Sequence, residues 1–421
     1  MPQETGGIPR YRGTTLPALF SQGFRPFFLG AGLWAPTAML LWILQLSGLF
    51  VLPTAFGPAA WHAHEMIFGF AQAAMAGFLM TAIPNWTGRM PLQGAGLLTL
   101  VASWVIGRVA MATSIYIGVI PAAVLDLLFP VLLLATLGRE VLVGRNWRNL
   151  PAMAALTLMI GANVSTHLAA AGLAADTTLG GRAGIAILST MISLVGGKLI
   201  PSFTRNRLVR MGSTFRPASF GSLDRVALGM VPTALAAWAV EMTQLVTGPL
   251  LIVASVLTAA RLARWHGWRI LGDVSLWPLH AGYGWLALGL ALLGVSALYP
   301  HVSSMAGLHA LTIGAIGTSI LAVMGRATFA QTGRRTDQLP RNWMIHGLIA
   351  ISAVSRVSAE IISEPYRTLV WIAGLAWILA FAVFLTGYGA VLVAPKHQLR
   401  QSNGDPKTSQ GHNRTGALGR R

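Results

Sequence analysis

The chain has 421 residues, of which 54% are hydrophobic and only 10% are charged, and it contains no cysteine. Soluble domains carry about 25% charged residues, so this composition excludes a soluble globular protein, and the lack of cysteine excludes disulfide bonds, thiolate metal sites and covalently attached c-type haem. A net charge of +18 would suggest nucleic-acid binding in a soluble chain, but here the positions of the basic residues decide its meaning.

Apolar runs of about 20 residues, long enough for a helix to cross a hydrocarbon core of about 30 Å, recur along nearly the whole chain. The twelve predicted spans cover residues 27–48, 62–84, 92–112, 117–137, 150–173, 182–202, 224–246, 248–263, 276–298, 302–325, 342–361 and 367–393. The sequence therefore predicts an all-α, polytopic integral membrane protein with about twelve transmembrane helices.

Lysine and arginine accumulate in the cytoplasmic loops of membrane proteins. When the loops are numbered alternately, one side holds nearly all of the basic residues and the other holds only Arg182 and Arg367. An even number of spans with both termini in the cytoplasm produces this pattern, so the expected partner is the lipid bilayer and not nucleic acid. The predicted organisation is a cytoplasmic N-terminal segment (1–26), a transmembrane domain (27–394) and a disordered cytoplasmic tail (395–421).

The densest polar motif, Trp-His-Ala-His-Glu-Met at residues 61–66, lies where the chain re-enters the membrane from the outer face. Imidazole is the commonest metal ligand, and a histidine within a span must be paired, bound to metal or facing water. On an α-helix His62 and Glu65 share a face, whereas His64 points nearly the other way. Both histidines therefore serve one site only if His62 lies before the helix proper.

The remaining histidines sort by their predicted depth in the membrane. The outer set consists of His62, His64, His167, His309 and His301. His280 and His346 form an inner pair near the cytoplasmic ends of the ninth and eleventh spans. Two layers of histidine without cysteine would suit a non-covalent haem and a second metal, and copper or haem iron prefers these ligands to magnesium or calcium. The alternative for each histidine is a hydrogen bond between helices.

Charged residues within the predicted spans form a second set: Glu65, Arg108, Asp126, Glu241, Arg356 and Glu360. Each costs about 2.5–3.5 kcal/mol to insert, so we expect each to be paired or to line a polar path. Arg356 and Glu360 are four residues apart on one helix face, which predicts an ion pair. The more specific hypothesis is that Arg108 and Arg356 bind haem propionates and that Glu65, Glu241 and Asp126 relay protons.

A short internal echo precedes two of the predicted spans. Phe-Arg-Pro occurs at residues 24–26, before the first span, and again at residues 215–217, before the seventh. This echo favours two halves of six spans each.

Five stretches of the chain resemble the NnrS family of bacterial inner-membrane proteins. They are GFRPFFLGAGLWA (23–35), WHAHEMIFGFAQAAMAGFLMTAIPNWTGR (61–89), GGKLIPSFTRN (196–206), PLHAGYGWLALGL (278–290) and GLHALTIGAIGTSILAVMGRATFAQTGR (307–334). The resemblance implies a twelve-span protein of the bacterial inner membrane that contains non-covalent, b-type haem and copper. It also implies protection against nitric oxide and nitrosative stress, often alongside denitrification. Within these stretches it points to His62, His64, Glu65, His280 and His309.

Three functions are compatible with these observations. The first is a haem- and copper-binding membrane protein that limits damage from nitric oxide or a related small molecule, with or without catalysis. The second is a secondary transporter, since many transporters have twelve spans with both termini in the cytoplasm. The third is a quinol-linked haem–copper reductase. A Soret band in the absorbance spectrum distinguishes the first from the second, because a transporter has no reason to contain haem.

Overall fold

The structure is a computed structural model that describes residues 15–299, 301–333, 341–362 and 364–395. Twelve long helices form the described part: α1 (Phe24–Leu46), α2 (Pro58–Thr87), α3 (Gly94–Ala112), α4 (Val119–Val143), α5 (Trp147–Ala170), α6 (Leu179–Arg210), α7 (Ser222–Ala239), α8 (Gln244–Ala263), α9 (Trp277–Leu298), α10 (Ser304–Thr332), α11 (Arg341–Ala359) and α12 (Tyr366–Val393). No strand occurs among these residues. The tail predicted to be disordered lies outside the described residues from 396 onward.

Ten of the helices are long and apolar enough to cross a membrane, so the protein is a multi-pass, all-α membrane protein. The other two, α7 and α11, overlap the seventh and eleventh predicted spans and pack against α8 and α12. The total of twelve crossings remains a prediction.

The C-terminal ends of three helices extend further than the apolar runs predict. Helices α4, α6 and α10 end at Val143, Arg210 and Thr332, whereas the predicted spans end at 137, 202 and 325. Charged residues end each apolar run, but a charged side chain does not end a helix, because Arg, Lys and Glu are good helix formers. These helices therefore continue past the predicted boundary.

Helices α2, α6 and α10 contact one another. Each is the second of four consecutive helices, and each contains a π-helical segment, at Glu65–Ala71, Ile192–Gly196 and Ala310–Gly317. The apolar parts of α2 and α10 are 78% and 67% buried, against 28% for the peripheral helix α4. We call these three mutually contacting helices the inner helices; the apolar part of α6 is 44% buried, like those of α1, α3, α5 and α9.

Two of the inner helices are related in sequence. Residues 64–89 and 309–334 align without a gap, sharing a histidine just before the π-helical segment and a Thr-Gly-Arg ending. Their glycines at positions 69 and 314 each leave room for a tryptophan of the preceding long helix, because a Cβ would lie 2.7 Å or less from Trp34 and Trp285 respectively. These two helices are eight helices apart, and the π-helical segments recur at every fourth helix, which indicates a repeat unit of four helices.

The interpretation of the Phe-Arg-Pro echo as two six-span halves is not supported by the structure. Phe24, Arg25 and Pro26 are buried in the first turn of α1, whereas the segment containing Phe215 and Arg216 precedes α7 in irregular, mostly exposed backbone. Equivalent repeats would place these triplets in the same local structure.

The topology gives the first prediction. We expect a periplasm-dependent reporter such as alkaline phosphatase to be active when fused at Gly172, between α5 and α6, and inactive at Gly212, between α6 and α7. The basic residues beside Gly212 hold that loop in the cytoplasm. Equal activity at the two positions would contradict both the order of crossings and the cytoplasmic position of the termini.

Candidate functional site

A buried polar cluster joins four consecutive helices in the first third of the bundle. Its members are His64 and Glu65 of α2, Arg108 of α3, Asp126 of α4, and Asn163 and His167 of α5. All of them are at most 4% exposed. We call this group the α2–α5 cluster.

Arg108 holds both carboxylates of the cluster. Its Nη1 donates to Glu65 Oε2 at 2.6 Å, and its Nη2 donates to Asp126 Oδ1. Trp34 Nε1 adds a second donor to Glu65 Oε2, at 2.8 Å. One guanidinium against two carboxylates leaves a single negative charge, which needs another cation because unpaired charges are costly in the membrane.

His64 is placed to supply that cation. Its Nδ1 lies 3.0 Å from Glu65 Oε1, and its Nε2 lies 2.9 Å from Asn163 Oδ1 and 3.2 Å from Asp126 Oδ2. The amide of Asn163 is oriented by its own donation to Asp126 Oδ2 at 2.7 Å. Since every partner of the imidazole is an acceptor, both ring nitrogens must donate. The metal-free cluster is therefore neutral when His64 is an imidazolium.

The same atoms form a metal-ligand set. One ligand atom each from His64, Asp126 and His167 lie within 4.8 Å of one another. His167 Nε2 is 3.0 Å from Asp126 Oδ2, while its buried Nδ1 has no hydrogen-bond partner among the described residues. Two imidazoles and a carboxylate suit copper, zinc or non-haem iron. The donor set fits a cation that replaces the proton between His64 Nε2 and Asp126.

Gly69, one turn beyond Glu65, makes the cluster sterically possible. A Cβ at this position would lie 2.6 Å from Arg108 Nη1 and 2.7 Å from Glu65 Oε2. The guanidinium therefore occupies the space that any other residue would need. Sequence reasoning did not identify Gly69 or Asn163, although an asparagine within a span is itself a sign of an intramembrane hydrogen bond.

A second polar group lies between α2, α10 and α11, and we call it the outer group. His62 stacks on Trp42, with ring centroids 4.7 Å apart, and its buried Nδ1 has no hydrogen-bond partner among the described residues. It lies within electrostatic range of His309 and Arg356. His309 Nδ1 donates to the carbonyl of Met305 at 2.8 Å, which leaves Nε2 with its lone pair. Two imidazoles with free nitrogens fit a group that takes two such ligands, such as haem iron.

Arg356 is already paired within the outer group. Its Nη1 donates to Glu360 Oε1 at 2.6 Å, and Ser303 donates to Glu360 Oε2 at 2.8 Å. The predicted ion pair four residues apart is confirmed. Arg356 can therefore meet an anionic group only by sharing its charge with Glu360.

The structure separates several residues that the sequence grouped. His62 and His64 belong to different polar groups even though both lie in α2. The inner pair is not in contact: His280 Nε2 lies 3.2 Å from Thr204 Oγ1, and the ring of His346 packs against Trp277. Neither histidine joins a group of three or more metal-ligating side chains among the described residues.

The expected position of Glu241 within the seventh span is wrong. Helix α7 ends at Ala239, and the side chain of Glu241 is 68% exposed. Arg182 Nη1 donates to its carboxylate at 2.6 Å, beside a second ion pair with Asp176. Two apolar runs are separated here by only a short polar turn, so the predicted span continued through it. Glu241 therefore lies outside the buried polar groups.

A cavity of about 1080 Å³ lies between the three inner helices, toward their C-terminal ends. Its lining contains methionines from all three helices, at positions 75, 191 and 324, but no histidine. It therefore does not offer the imidazole ligand that haem iron usually takes.

Among known protein families, the chain matches the one described as NnrS protein, over residues 18–396. The chain belongs to the NnrS family. No curated protein matches it. The matched region includes all twelve long helices, both histidine groups and the cavity, so the NnrS resemblance of the five sequence stretches is confirmed over nearly the full chain.

The second prediction concerns the charge balance of the α2–α5 cluster in this NnrS protein. Arg108→Met leaves two buried carboxylates without their cation, so we expect a loss of about 3–5 kcal/mol in the free energy of unfolding. Arg89→Met, which breaks the partly exposed pair with Glu140, should cost about 0–1 kcal/mol. Thermal and denaturant unfolding of both variants in the same lipid nanodiscs measures the difference. Equal losses would mean that the cluster is no more important for stability than a surface ion pair.

Proposed function

We propose that this protein is a metal-binding protein of the bacterial inner membrane, with both termini in the cytoplasm, that protects the cell against nitric oxide. The observation that carries the proposal is the convergence of His64, Asp126 and His167. Membership of the NnrS family supports the link to the nitric oxide response.

Copper is the metal proposed for the α2–α5 cluster. His64, Asp126 and His167 supply the ligands, while Glu65 accepts from Nδ1 of His64 and Asn163 donates to Asp126. Hydrogen bonds of this kind to a ligand typically change metal affinity by about 10–100-fold. When bound, copper would supply one-electron chemistry close to the outer face of the membrane.

Haem, non-covalent and b-type, is proposed for the outer group. His62 and His309 come from two inner helices, and each has a ring nitrogen without a hydrogen-bond partner among the described residues. Haem iron held there by both imidazoles would supply one-electron transfer. Arg356, which acts electrostatically on both histidines, is the proposed cation for a haem propionate. Arg108 is a less favourable candidate because both of its carboxylate partners are buried with it.

In the copper-free cluster, Glu65 and Asp126 are also proposed to move protons. A chain of hydrogen bonds runs from Glu65 through His64 to Asp126 and then to His167, whose Nδ1 is its open end. Each link joins a nitrogen to a carboxylate oxygen within 3.2 Å, so a proton can pass without movement of the helices. Glu241 lies outside this chain.

The third prediction assigns metals to histidines in the purified protein. We expect His64→Ala and His167→Ala to lose most of the copper, because each removes one of three ligands, while the Soret absorbance survives. We expect His62→Ala and His309→Ala to lose the Soret absorbance while copper survives. His266→Ala, in the loop after α8, is the matched control. Copper is measured by mass spectrometry and haem as the pyridine haemochrome.

The inner pair is tested in the same experiment. If His280 or His346 ligates a metal, its alanine variant should lose one cofactor selectively. Wild-type haem and copper in both variants would remove the inner pair from the metal sites, and wild-type contents in all four variants of the outer histidines would overturn the metal-binding proposal.

The fourth prediction concerns protection of the cell. In a bacterial strain lacking this gene, plasmid-borne wild type and His266→Ala should restore growth in the presence of a nitric oxide donor. His64→Ala and His309→Ala should not restore growth when immunoblots show equal amounts in the membrane. Full protection by both variants would separate the nitric oxide response from the proposed metals.

A secondary transporter is the second candidate function, and the cavity between the inner helices is the observation that favours it. The cavity lies on the side that is predicted to face the cytoplasm, and it reaches the π-helical segments. If the purified protein contains neither haem nor copper, the transporter is favoured over the metal-binding protein. No feature of the described residues favours a quinol-linked reductase in the same way.

A further inference from the structure

The cavity between α2, α6 and α10 has an apolar body. Its deep end is formed by residues in or beside the three π-helical segments, among them Ala71, Ile192, Val195 and Ile316. Further toward the cytoplasm, the walls are built from Met75, Phe78, Leu199 and similar side chains. Walls of this kind bind a ligand by burying its apolar surface.

The mouth of the cavity has the opposite character. Arg207 and Arg210 line it from the end of α6, and Arg326 lines it from α10. Asp273 is the single acidic residue in the lining, and it pairs with Arg207 at 3.0 Å. Three guanidinium groups against one carboxylate leave two positive charges at the opening.

Arg326 is the most informative of the three arginines. Its guanidinium lies over the ring of Phe203, 4.0 Å from the centroid, and Nη1 donates to Ser275 at 3.2 Å. Phe203 and Ser275 also line the cavity, and no carboxylate within ion-pair distance accompanies Arg326 among the described residues. The planar group is thus held at the wall with donors available for an anion.

Arginines also occur on the cytoplasmic side simply because of topology. That explanation accounts for residues such as Arg139, which is exposed on the peripheral helix α4 and does not line the cavity. It does not account for a guanidinium packed between inner helices at the rim of a large apolar chamber. The position of Arg326 therefore indicates recognition of a ligand.

We propose that the cavity binds an amphiphilic anion, with its apolar body between α2, α6 and α10 and its carboxylate or phosphate head at Arg326, Arg210 and Arg207. The volume of about 1080 Å³ is at the upper end of ligand pockets, which are about 300–1,000 Å³. A small polar anion would leave most of the chamber unfilled. A neutral apolar molecule would leave Arg326 without an anionic partner.

This site is separate from the histidine groups. Ala71 and Ile316 each lie seven residues beyond the histidine of their helix, His64 and His309, which is about 10 Å at 1.5 Å per residue. The bound anion would therefore lie on the cytoplasmic side of both histidine groups without contacting them. The inference therefore does not depend on the proposed function, and metal-site variants should leave it unchanged.

The experiment uses the full chain in phosphatidylcholine nanodiscs and cis-parinaric acid, a fluorescent apolar carboxylic acid. We expect saturable binding of the acid, and binding of its methyl ester that is about tenfold weaker, because the ester keeps the body but lacks the charge. Dodecyl phosphate should displace the acid if phosphate heads are also accepted, whereas inorganic phosphate at the same concentration should not. Displacement by inorganic phosphate would contradict the proposed binding of an amphiphile, because the apolar body would then contribute nothing to affinity.

The variants distinguish the contribution of the anionic head to binding affinity from that of the apolar body. Arg326→Met should weaken binding of the acid about tenfold and leave the ester unchanged, and Arg326→Lys should restore most of the affinity. Ala327→Trp, which fills the chamber beside Arg326, should abolish binding of both. Arg139→Met is the matched control and should bind like wild type.

Three outcomes would overturn the proposal: no saturable binding to wild-type protein, equal affinity for acid and ester, or equal loss in Arg139→Met and Arg326→Met. Size-exclusion profiles and unfolding temperatures of the variants show whether each is folded. If Arg326→Met fails to fold, the comparison of acid with ester in wild type and in Arg326→Lys still decides the question.

Discussion

The simultaneous contact of Arg108 with Glu65 and Asp126 is the constraint on which the first third of the bundle depends. The guanidinium and both carboxylates are buried, and lipid offers no water to replace a missing partner. Charge neutrality therefore fixes how α2, α3 and α4 approach one another, and the second cation, at His64, ties α5 to them through Asn163 and Asp126. Gly69 is required because the guanidinium occupies the space of its side chain.

The internal repeat places one histidine in the same register on α2 and α10, yet the two acquire different chemistry. His64 is followed by Glu65 and faces carboxylates and an amide oxygen. His309 is followed by Ala310, and its only described hydrogen bond goes to the carbonyl one turn earlier. The first is held between fixed acceptors, and the second keeps a free nitrogen. A repeated helix can thus support two unlike sites, because neighbouring helices supply the partners.

Several features were predictable because they depend on local sequence. The helical class and the approximate positions of the membrane helices follow from the length of the apolar runs, and the Arg356–Glu360 pair follows from helical spacing. Glu241 was misplaced because a short polar turn between two apolar runs barely lowers the local hydropathy. The extended ends of α4, α6 and α10 were missed because hydropathy marks the edge of the hydrocarbon and not the end of a helix.

The sequence by itself determined that this is an all-α membrane protein of the NnrS type and that its chemistry must use histidine, carboxylate and arginine. These properties depend only on composition and short motifs, which do not require the three-dimensional structure. Only the tertiary structure decided that His64 joins Asp126 and His167 while His62 faces α10 and α11. It also decided that the three inner helices enclose a chamber rimmed by arginine. These contacts join residues tens to hundreds of positions apart, and helix packing, which no local pattern encodes, brings them together.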